Sequence, residues 1–517
     1  MPVQTIDLRA PVQAAREKYA KDARSAFEEC LLWLGDAAQK SAIHEVEAAL
    51  GVRLLALGCA LVALWLALRL PTEVPATMTH GQASYRFKEL RQHVARTRFG
   101  ELLWLRPLYE RLHGRGPATL APMDREVGLA AGRMTLGVHL IAGYLAAKFA
   151  FDEVVEVLGR FGEYVPSKRA ILGIVDGLGP FAARLLANMP TPDDDGEILV
   201  IQNDDKGAPM LGSAEHARRC KPHKKGRSRK KGARTQRRAK RNSRPRARRP
   251  KGAKSKSKNA RMAKVFVIYT LRRNRDGTLE GPINKRVIAT FGSRHQAFTM
   301  ALREALKRGY GKKPTYFLAD GSRAIWAMQQ KFFPLATPCV DWFHVCEYLW
   351  LAGGTVFRTA GSPELATWVH ARKQELLAGR VDAMLQALEA LRAEIGKSGP
   401  GTKGRRERLA KAVGYLKGHR DRLRYRELAR MDMDFATGAV EGAVNHVVGR
   451  RLDGSMMRWT QVRAEYVLVL RCVVVNGLWD HLADDVAVEH GRCRDPVIPR
   501  ITPARRQVPY DAVRKAA

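Results

Sequence analysis

The chain has 517 residues, with 90 Lys and Arg against 51 Asp and Glu and a formal charge of +39. Hydrophobic residues make up 45%, enough to bury a core, so a wholly disordered basic protein is excluded. At ~100–200 residues per domain the length fits about three units. So positive a chain requires a polyanion, with nucleic acid as the first expectation. An anionic membrane surface or a basic ribosomal-type scaffold is the plainer alternative.

Seven cysteines (Cys30, Cys59, Cys220, Cys339, Cys346, Cys472 and Cys493) lie scattered, with no CxxC pair. That usage fits a reducing cytoplasm and no disulfide framework. Asp7, Glu17 and Asp22 come too early for a basic-then-apolar signal sequence. The uncharged run Leu54–Leu68 has 15 residues, short of the ~20 a membrane span needs. It is expected as a buried helix, with membrane insertion the minority reading.

Residues 1–195 read as a helical N-terminal region, with apolar positions at helical spacing over Ala23–Ala38 and Ile43–Leu70. Pro71 and Pro75 end the second helix. Within 151–179, Phe151, Val154, Val155 and Leu158 form one apolar face, and Gly159–Pro166 make a turn. Ser167 then caps a short helix carrying Ile171, Leu172 and Val175 and ending near Gly177. The pair is either a helix-turn-helix that turns Lys168 and Arg169 toward DNA or an ordinary helical hairpin.

Beyond the acidic linker Pro190–Asp195, Glu197–Asn203 is a continuous apolar run of strand length ending in Asp204 and Asp205. Val265–Thr270 and Lys285–Phe291 read as two further strands, joined by the loop Arg273–Gly281. A helix over His295–Arg308 comes next, then the short strand Thr315–Ala319, which terminates on Asp320. This is the order of a ribonuclease H-like core, expected over 196–344. A low-complexity insert at 216–264 interrupts it: 24 of its 49 residues are Lys or Arg and none is acidic. Such a segment cannot bury a core, and reads either as a disordered nucleic-acid-binding arm or as a solubilising segment. Without its charge the other 468 residues carry +15.

Residues 345–430 return to helical spacing, with the stripe Val381, Met384, Leu385, Leu388, Leu391 and Ile395. Lys397–Arg408 breaks that stripe. Helices resume over 431–485, and 486–517 is a basic, proline-containing tail. The expected class is therefore α+β and multidomain: an α-helical N-terminal region, then a ribonuclease H-like α/β core with a helical insertion.

Asp204 and Asp320 end strands, and Glu441 sits in the helix opening FATGAVEGAVNHVVGRRL. Strand ends of such a sheet share one cleft, and a helix beside them adds a third acid. Three carboxylates repel unless divalent cations compensate them, and oxygen-only ligands favour Mg²⁺ or Mn²⁺ over zinc. Two such ions suit the attacking and leaving oxygens of a phosphodiester. Taken singly, each acid is as readily a surface group or a helix cap.

The motifs IQNDDKGAPM (201–210), LADGSRAIWAMQQKFFP (318–334) and VDWFHVCEYLW (340–350) resemble landmarks of bacterial insertion-sequence transposases. TGAVEGAVNHVVGRRLDGSMMRW (437–459) and LRCVVVNGLWD (470–480) continue the likeness. Together they resemble the DDE transposases of the Kra-type group, distantly Mutator-like. The resemblance implies Asp204, Asp320 and Glu441 as the catalytic, metal-binding acids, with two Mg²⁺ or Mn²⁺ ions.

Asp341 and His344 match a D-x-x-H element that supports the site in these relatives. Asp341 is also a rival second acid, and His344 is as readily a structural histidine. Asn445, one turn beyond Glu441, could orient a ligand. Arg450, Arg451 and Arg458 are candidate phosphate contacts, with Trp459 as a base-stacking or core residue.

Three features depart from the family, one of them the long basic insert at 216–264, read as extending DNA contact beyond the family core. Asp205 stands where relatives commonly have Gly, and Leu105–Asp124 lacks the cysteine pair of several relatives. The implied activity is binding of transposon ends, strand cleavage and strand transfer by a homodimer or larger assembly on nucleoid DNA. No membrane or small-molecule substrate is expected. A domesticated, non-cleaving DNA-binding protein of the same fold is the alternative, and a structural RNA- or membrane-associated basic protein a more distant one.

Overall fold

Residues 4–129, 134–161, 164–212, 215–217, 259–357, 359, 362–454 and 457–489 are described by a computed structural model. Most of the basic insert and nearly all of the C-terminal tail lie outside these residues. The chain mixes helix and sheet, α+β as expected, and divides into two compact units.

The first unit comprises residues up to 140, with 158–165 and the segment from 483. Its elements begin with β1 (Thr5–Asp7), α1 (Arg9–Gly35), α2 (Ile43–Leu68), β2 (Glu73–Pro75) and β3 (Thr77–His80). They continue with β4 (Gln82–Thr97), β5 (Gly100–Arg115), β6 (Thr119–Leu120) and α3 (Pro122–Glu126). The expected all-helical region is therefore corrected: β3 to β6 form a four-stranded antiparallel sheet in sequence order. Its long hairpin turns between Thr97 and Gly100. Alternation was the signal, since Leu102 and Trp104 are buried while Leu103 between them is half exposed. The cysteine-free stretch Leu105–Asp124 is made up largely of β5, β6 and the start of α3.

Val12, Tyr19, Leu66, Leu70 and Trp104 share one core, and Tyr19 donates a hydrogen bond to the Leu103 carbonyl at 3.0 Å. Helix α2 is longer than the apolar run and is not the buried helix expected. It buries Ala63, Leu66 and Ala67 near its C-terminal end but leaves Leu54, Leu61, Trp65 and Leu68 about half exposed. Only its last turns reach the sheet. By length and composition α2 and the helix Lys168–Ala187 could each cross a membrane. The second of these is instead a core helix of the other unit.

The second unit comprises residues 141–157 and 166–482. Helices α4 (Leu136–Lys148) and α5 (Phe151–Arg160) precede α6 (Lys168–Ala187). Ser167 caps α6 by accepting from the Ala170 amide at 3.2 Å. The helix does not stop near Gly177. Ile171, Val175, Leu178, Ala182 and Leu186 are buried as one continuous stripe, and that burial carries it through Pro180.

Next come β7 (Ile198–Pro209), β8 (Ala260–Arg273), β9 (Leu279–Thr290), α7 (Arg294–Lys307), β10 (Thr315–Ala319), α8 (Arg323–Phe332) and β11 (Thr337–Val340). The sheet order is β11-β10-β7-β8-β9. Strand β8 is antiparallel to both its neighbours, β7 and β9, whereas β10 runs parallel to β7 and β11 parallel to β10. Leu199, Ile201, Phe266, Ile268, Phe317 and Leu318 are all buried, so both faces are covered.

The chain then enters a helical block: α9 (Trp342–Gly353), α10 (Pro363–Leu377), α11 (Val381–Glu394), α12 (Thr402–Gly418) and α13 (Tyr425–Arg430). Met384, Leu385, Leu388, Leu391 and Ile395 of the predicted stripe are buried. Tyr425 ties the block to the sheet by donating to the Val340 carbonyl at 2.9 Å. Last are α14 (Gly438–Val444), a π-helical stretch over Asn445–Asp453, α15 (Gln461–Val475) and α16 (Trp479–Glu489). Helix α6 packs on α15, and Arg463 pairs with Asp176 across them at 3.0 Å.

The acidic linker is anchored as well. Asp195 accepts from the buried Arg308 at 2.6 Å through both Nε and Nη2, and from Thr270 Oγ1 at 2.6 Å. Burial opposes the Asp195 charge, but these hydrogen bonds outweigh it and hold the carboxyl at about 2. Arg308 also donates to the carbonyls of Ile283 and Asn284, joining linker, sheet and helix α7. Arg308→Met strands a buried carboxylate and is expected to cost about 3–5 kcal/mol at pH 7 in chemical denaturation. A loss below about 1 kcal/mol contradicts this anchoring.

Candidate catalytic site at the strand ends

The last paired row on the parallel side of the sheet is Asn203–Ala319–Val340. The next residue on each strand is an acid: Asp204, Asp320 and Asp341. Three neighbouring parallel strands thus carry one carboxylate each just beyond the same row. Asp204 is not at the end of its strand, because β7 continues to Pro209 paired with β8 alone. It sits where β7 leaves β10, which opens the cleft.

The three acids have different surroundings. Asp341 is fully buried and caps α9: its Oδ2 accepts from the His344 amide at 2.9 Å and from His344 Nδ1 at 2.8 Å. Its Oδ1 accepts from the Thr437 amide at 2.8 Å and from Thr437 Oγ1 at 2.7 Å. Burial opposes its charge, and these four bonds still keep the carboxyl below its ordinary range. Asp341 is thereby spent on protein. Asp320 accepts one bond, from the Ser322 amide at 2.9 Å.

Asp204 accepts from the Asp205 amide at 2.7 Å, yet burial and the neighbouring Asp320 and Asp205 charges push it up to about 6. The adjacent Asp205 is a different case. Alternation turns it to the opposite face, where it pairs with Arg294 at 2.7 Å. This is how the chain accommodates an acid where relatives have Gly.

Glu441 comes in on α14, whose N-terminus is pinned at two points. Gln202 Oε1 accepts from the Val440 amide at 3.0 Å, and Asp341 holds Thr437. Gln202 and Asp204 share one face of β7 by alternation, so α14 lies over the face that bears Asp204. Glu441 Oε1 lies 3.2 Å from Thr437 Oγ1, whose one proton goes to Asp341 at 2.7 Å. Asp204 and Asp320 are coupled electrostatically. Glu441 is joined to the group through Thr437, and among the described residues no three such side chains close on a single point.

His344 is the cation of the site. Its Asp341 hydrogen bond raises the imidazole to about 9, so it is protonated at neutral pH and acts on both Asp204 and Asp320. Asn445, exposed at the start of the π-helical stretch, lies one turn beyond Glu441.

Two expected DNA contacts are corrected by burial. Arg451 is 1% exposed, donates to the Ala146 carbonyl at 2.8 Å and lies over the rings of Phe151 and Trp459. Trp459 is itself buried, donating to the Leu452 carbonyl at 3.2 Å. Both are core residues. The dipeptide Arg450–Arg451 gave no sign of which side faced inward, because the π-helical turn shifts the usual spacing.

Arg450 is exposed, and Arg458 is exposed with an ion pair to Glu215 at 3.0 Å. Lys168 and Arg169 are exposed at the start of α6, where Lys168 pairs with Asp152. Further along α6 the exposed positions are Gly173, Gly177, Pro180, Ala183, Arg184 and Ala187, of which Arg184 is the charged one.

Residues 255–433 match a family model described as transposase, the ISL3 group of the DDE type. The match covers about a third of the chain and supports a DDE insertion-sequence transposase, a family that acts on DNA. It spans Asp320, Asp341 and His344, whereas Asp204 and Glu441 lie on either side of it. The Kra-type and Mutator-like likeness rests on the quoted motifs alone. No curated protein matches the chain.

A raised carboxyl costs stability once it is ionised. The Asp204 penalty is absent below the unfolded pKa near 3.8, grows through about 6 and is complete above it. Asp204→Asn is therefore expected to stabilise the cation-free protein at pH 8, by on the order of 1–3 kcal/mol, and by less at pH 5. A lower melting temperature at pH 8 contradicts this.

Proposed function

We propose that the chain is an active DNA transposase that binds transposon ends, cleaves strands with the help of a divalent cation and transfers the freed end. The observation that carries this reading is the placement of Asp204 and Asp320 one step past a common strand row, with Glu441 delivered on a pinned helix. The strand order, with three strands in antiparallel succession and then two parallel to the first, supports the reading of a ribonuclease H-like core. The block 342–430 stands where a helical insertion interrupts that core.

The donor set fits Mg²⁺ or Mn²⁺. It is all oxygen, and a carboxyl pushed up to about 6 by burial and neighbouring charge is relieved by a nearby cation. Asp204, Asp320 and Glu441 would hold two ions, whose chemistry is to activate a water or 3′-hydroxyl and to stabilise the leaving oxygen. Asp341 serves as a positioning residue: it holds His344 on one side and the start of α14 on the other. The His344 imidazolium adds positive charge where a phosphate arrives. No side chain acts as a covalent nucleophile, so the protein's contribution is positioning and charge compensation.

Arg450, Arg458, Lys168 and Arg169, all exposed, are the proposed phosphate contacts outside the acids, with Asn445 as an orienting group. The assembly is proposed to be a dimer or larger on DNA in the bacterial cytoplasm, since two transposon ends must be joined.

The test is end cleavage on a DNA fragment carrying the sequences that flank the coding region. Asp204→Ala, Asp320→Ala and Glu441→Ala should each lower Mg²⁺-dependent cutting by more than the about 10–100-fold typical of losing an outer-shell partner. Binding in a gel-shift assay should persist. Normal cutting by any of the three removes that acid from the site. Binding without cutting by the unaltered protein supports the non-cleaving alternative.

A further inference from the structure

A cavity of about 720 Å³ opens beside the candidate site, between α8, α9 and α12. It begins at Gly321, the residue after Asp320. A Cβ at Gly321 would lie 2.1 Å from the Tyr415 ring, so glycine lets this ring close against the strand end. The walls are aromatic. Tyr348 and Tyr415 stack with centroids 3.8 Å apart and planes 16° apart, and Trp326 and His419 continue the surface.

Cations are interleaved with these rings. Lys411 lies over Tyr348 at 5.7 Å, Arg422 lies over Trp326 at 5.1 Å, and Arg323 stands at the rim, while no acidic side chain lines the cavity. Gly414 and Gly418 of α12 also line it, and a Cβ at either meets nothing within 4 Å, so the space in front of them is open. Trp326 Nε1, Tyr415 Oη and His419 Nδ1, just behind the wall, have no hydrogen-bond partner among the described residues. Unpaired buried polar atoms are costly and call for an explanation, of which a ligand site is one.

Aromatic faces with interleaved cations and no acid suit an unpaired nucleotide, whose base has a free π-face and whose phosphates are anionic. A base inside a duplex has neither face free. We propose that this cavity holds one unpaired nucleotide of a DNA strand, its base against the Tyr348–Tyr415–Trp326 wall and its phosphates on Arg323, Lys411 and Arg422. This deepens the transposase reading and rests on it for location: the nucleotide would lie next to the phosphate that is cut at Asp320.

The test measures binding of the full-length protein in EDTA, where no cutting is needed. The probes are a 12-base-pair duplex with one unpaired 2-aminopurine nucleotide bulged from the centre of one strand and the same duplex with an abasic site at the bulge. Both carry equal charge, so basic segments elsewhere bind them alike. The unaltered protein should bind the base-containing duplex about 5- to 100-fold more tightly and quench its fluorescence.

Gly414→Phe fills the cavity and should bring the two affinities together, while Gly414→Ala keeps the preference. If Gly414→Phe lowers the melting temperature, Gly418→Leu on the same open face is read instead. Equal affinities in the unaltered protein, or a preference that survives a folded cavity-filling variant, overturn the proposal. Failure of the transposase reading shows separately, as uncut end DNA with the base preference intact.

Discussion

One buried carboxylate organises the candidate site. Asp341 gives its four acceptor positions to His344 and Thr437, and by doing so joins β11, α9 and α14 at one point. Without it the start of the helix bearing Glu441 loses these bonds and keeps those to Gln202 and the burial of Val440, Ala443 and Val444. The ionised form of Asp341 survives burial because every lone pair is used. It is therefore the acid of the three strand ends least able to serve a cation, although it looks the most embedded in the motif.

The remaining electrostatics derive from that assignment. Asp204 and Asp320 have few protein donors between them, and Asp204 is left at about 6 by burial and like charge. The His344 imidazolium, maintained by Asp341, offsets part of this repulsion. The site thus stores an unfavourable charge arrangement inside a stable sheet, a pattern found where a fold trades stability for function.

Much of this was legible in the amino-acid order. Strand β10 falls where the short run ending on Asp320 places it, and the stripe from Met384 to Ile395 is buried as its spacing requires. Asp204 and Asp320 stand out in the sequence because each ends an apolar run. The parts that were not legible depended on long-range pairing. The hairpin of β4 and β5 alternates in burial, yet its many Arg and Glu residues disguised the pattern. Helix α6 outruns its Gly and Pro signals because α15 covers it. The inward turn of Arg451 depends on a π-helical stretch that no local signal announced. The exposure of α2 shows the converse: an apolar run does not by itself bring a partner to bury it.

The aromatic, cationic cavity next to Gly321 extends the same logic from the acids to the strand they would cut. On the proposed function the acids divide the work: Asp204 and Asp320, with Glu441, would bind the cation while Asp341 holds the architecture. Calorimetric titration of Mn²⁺ into the full-length protein, paired with thermal denaturation, tests this division most directly. Asp320→Asn should abolish cation binding with the melting temperature maintained, whereas Asp341→Asn should lower the melting temperature in the absence of cation. Undiminished Mn²⁺ binding by Asp320→Asn, or an Asp341→Asn protein that is as stable as the original but binds no cation, would contradict the account.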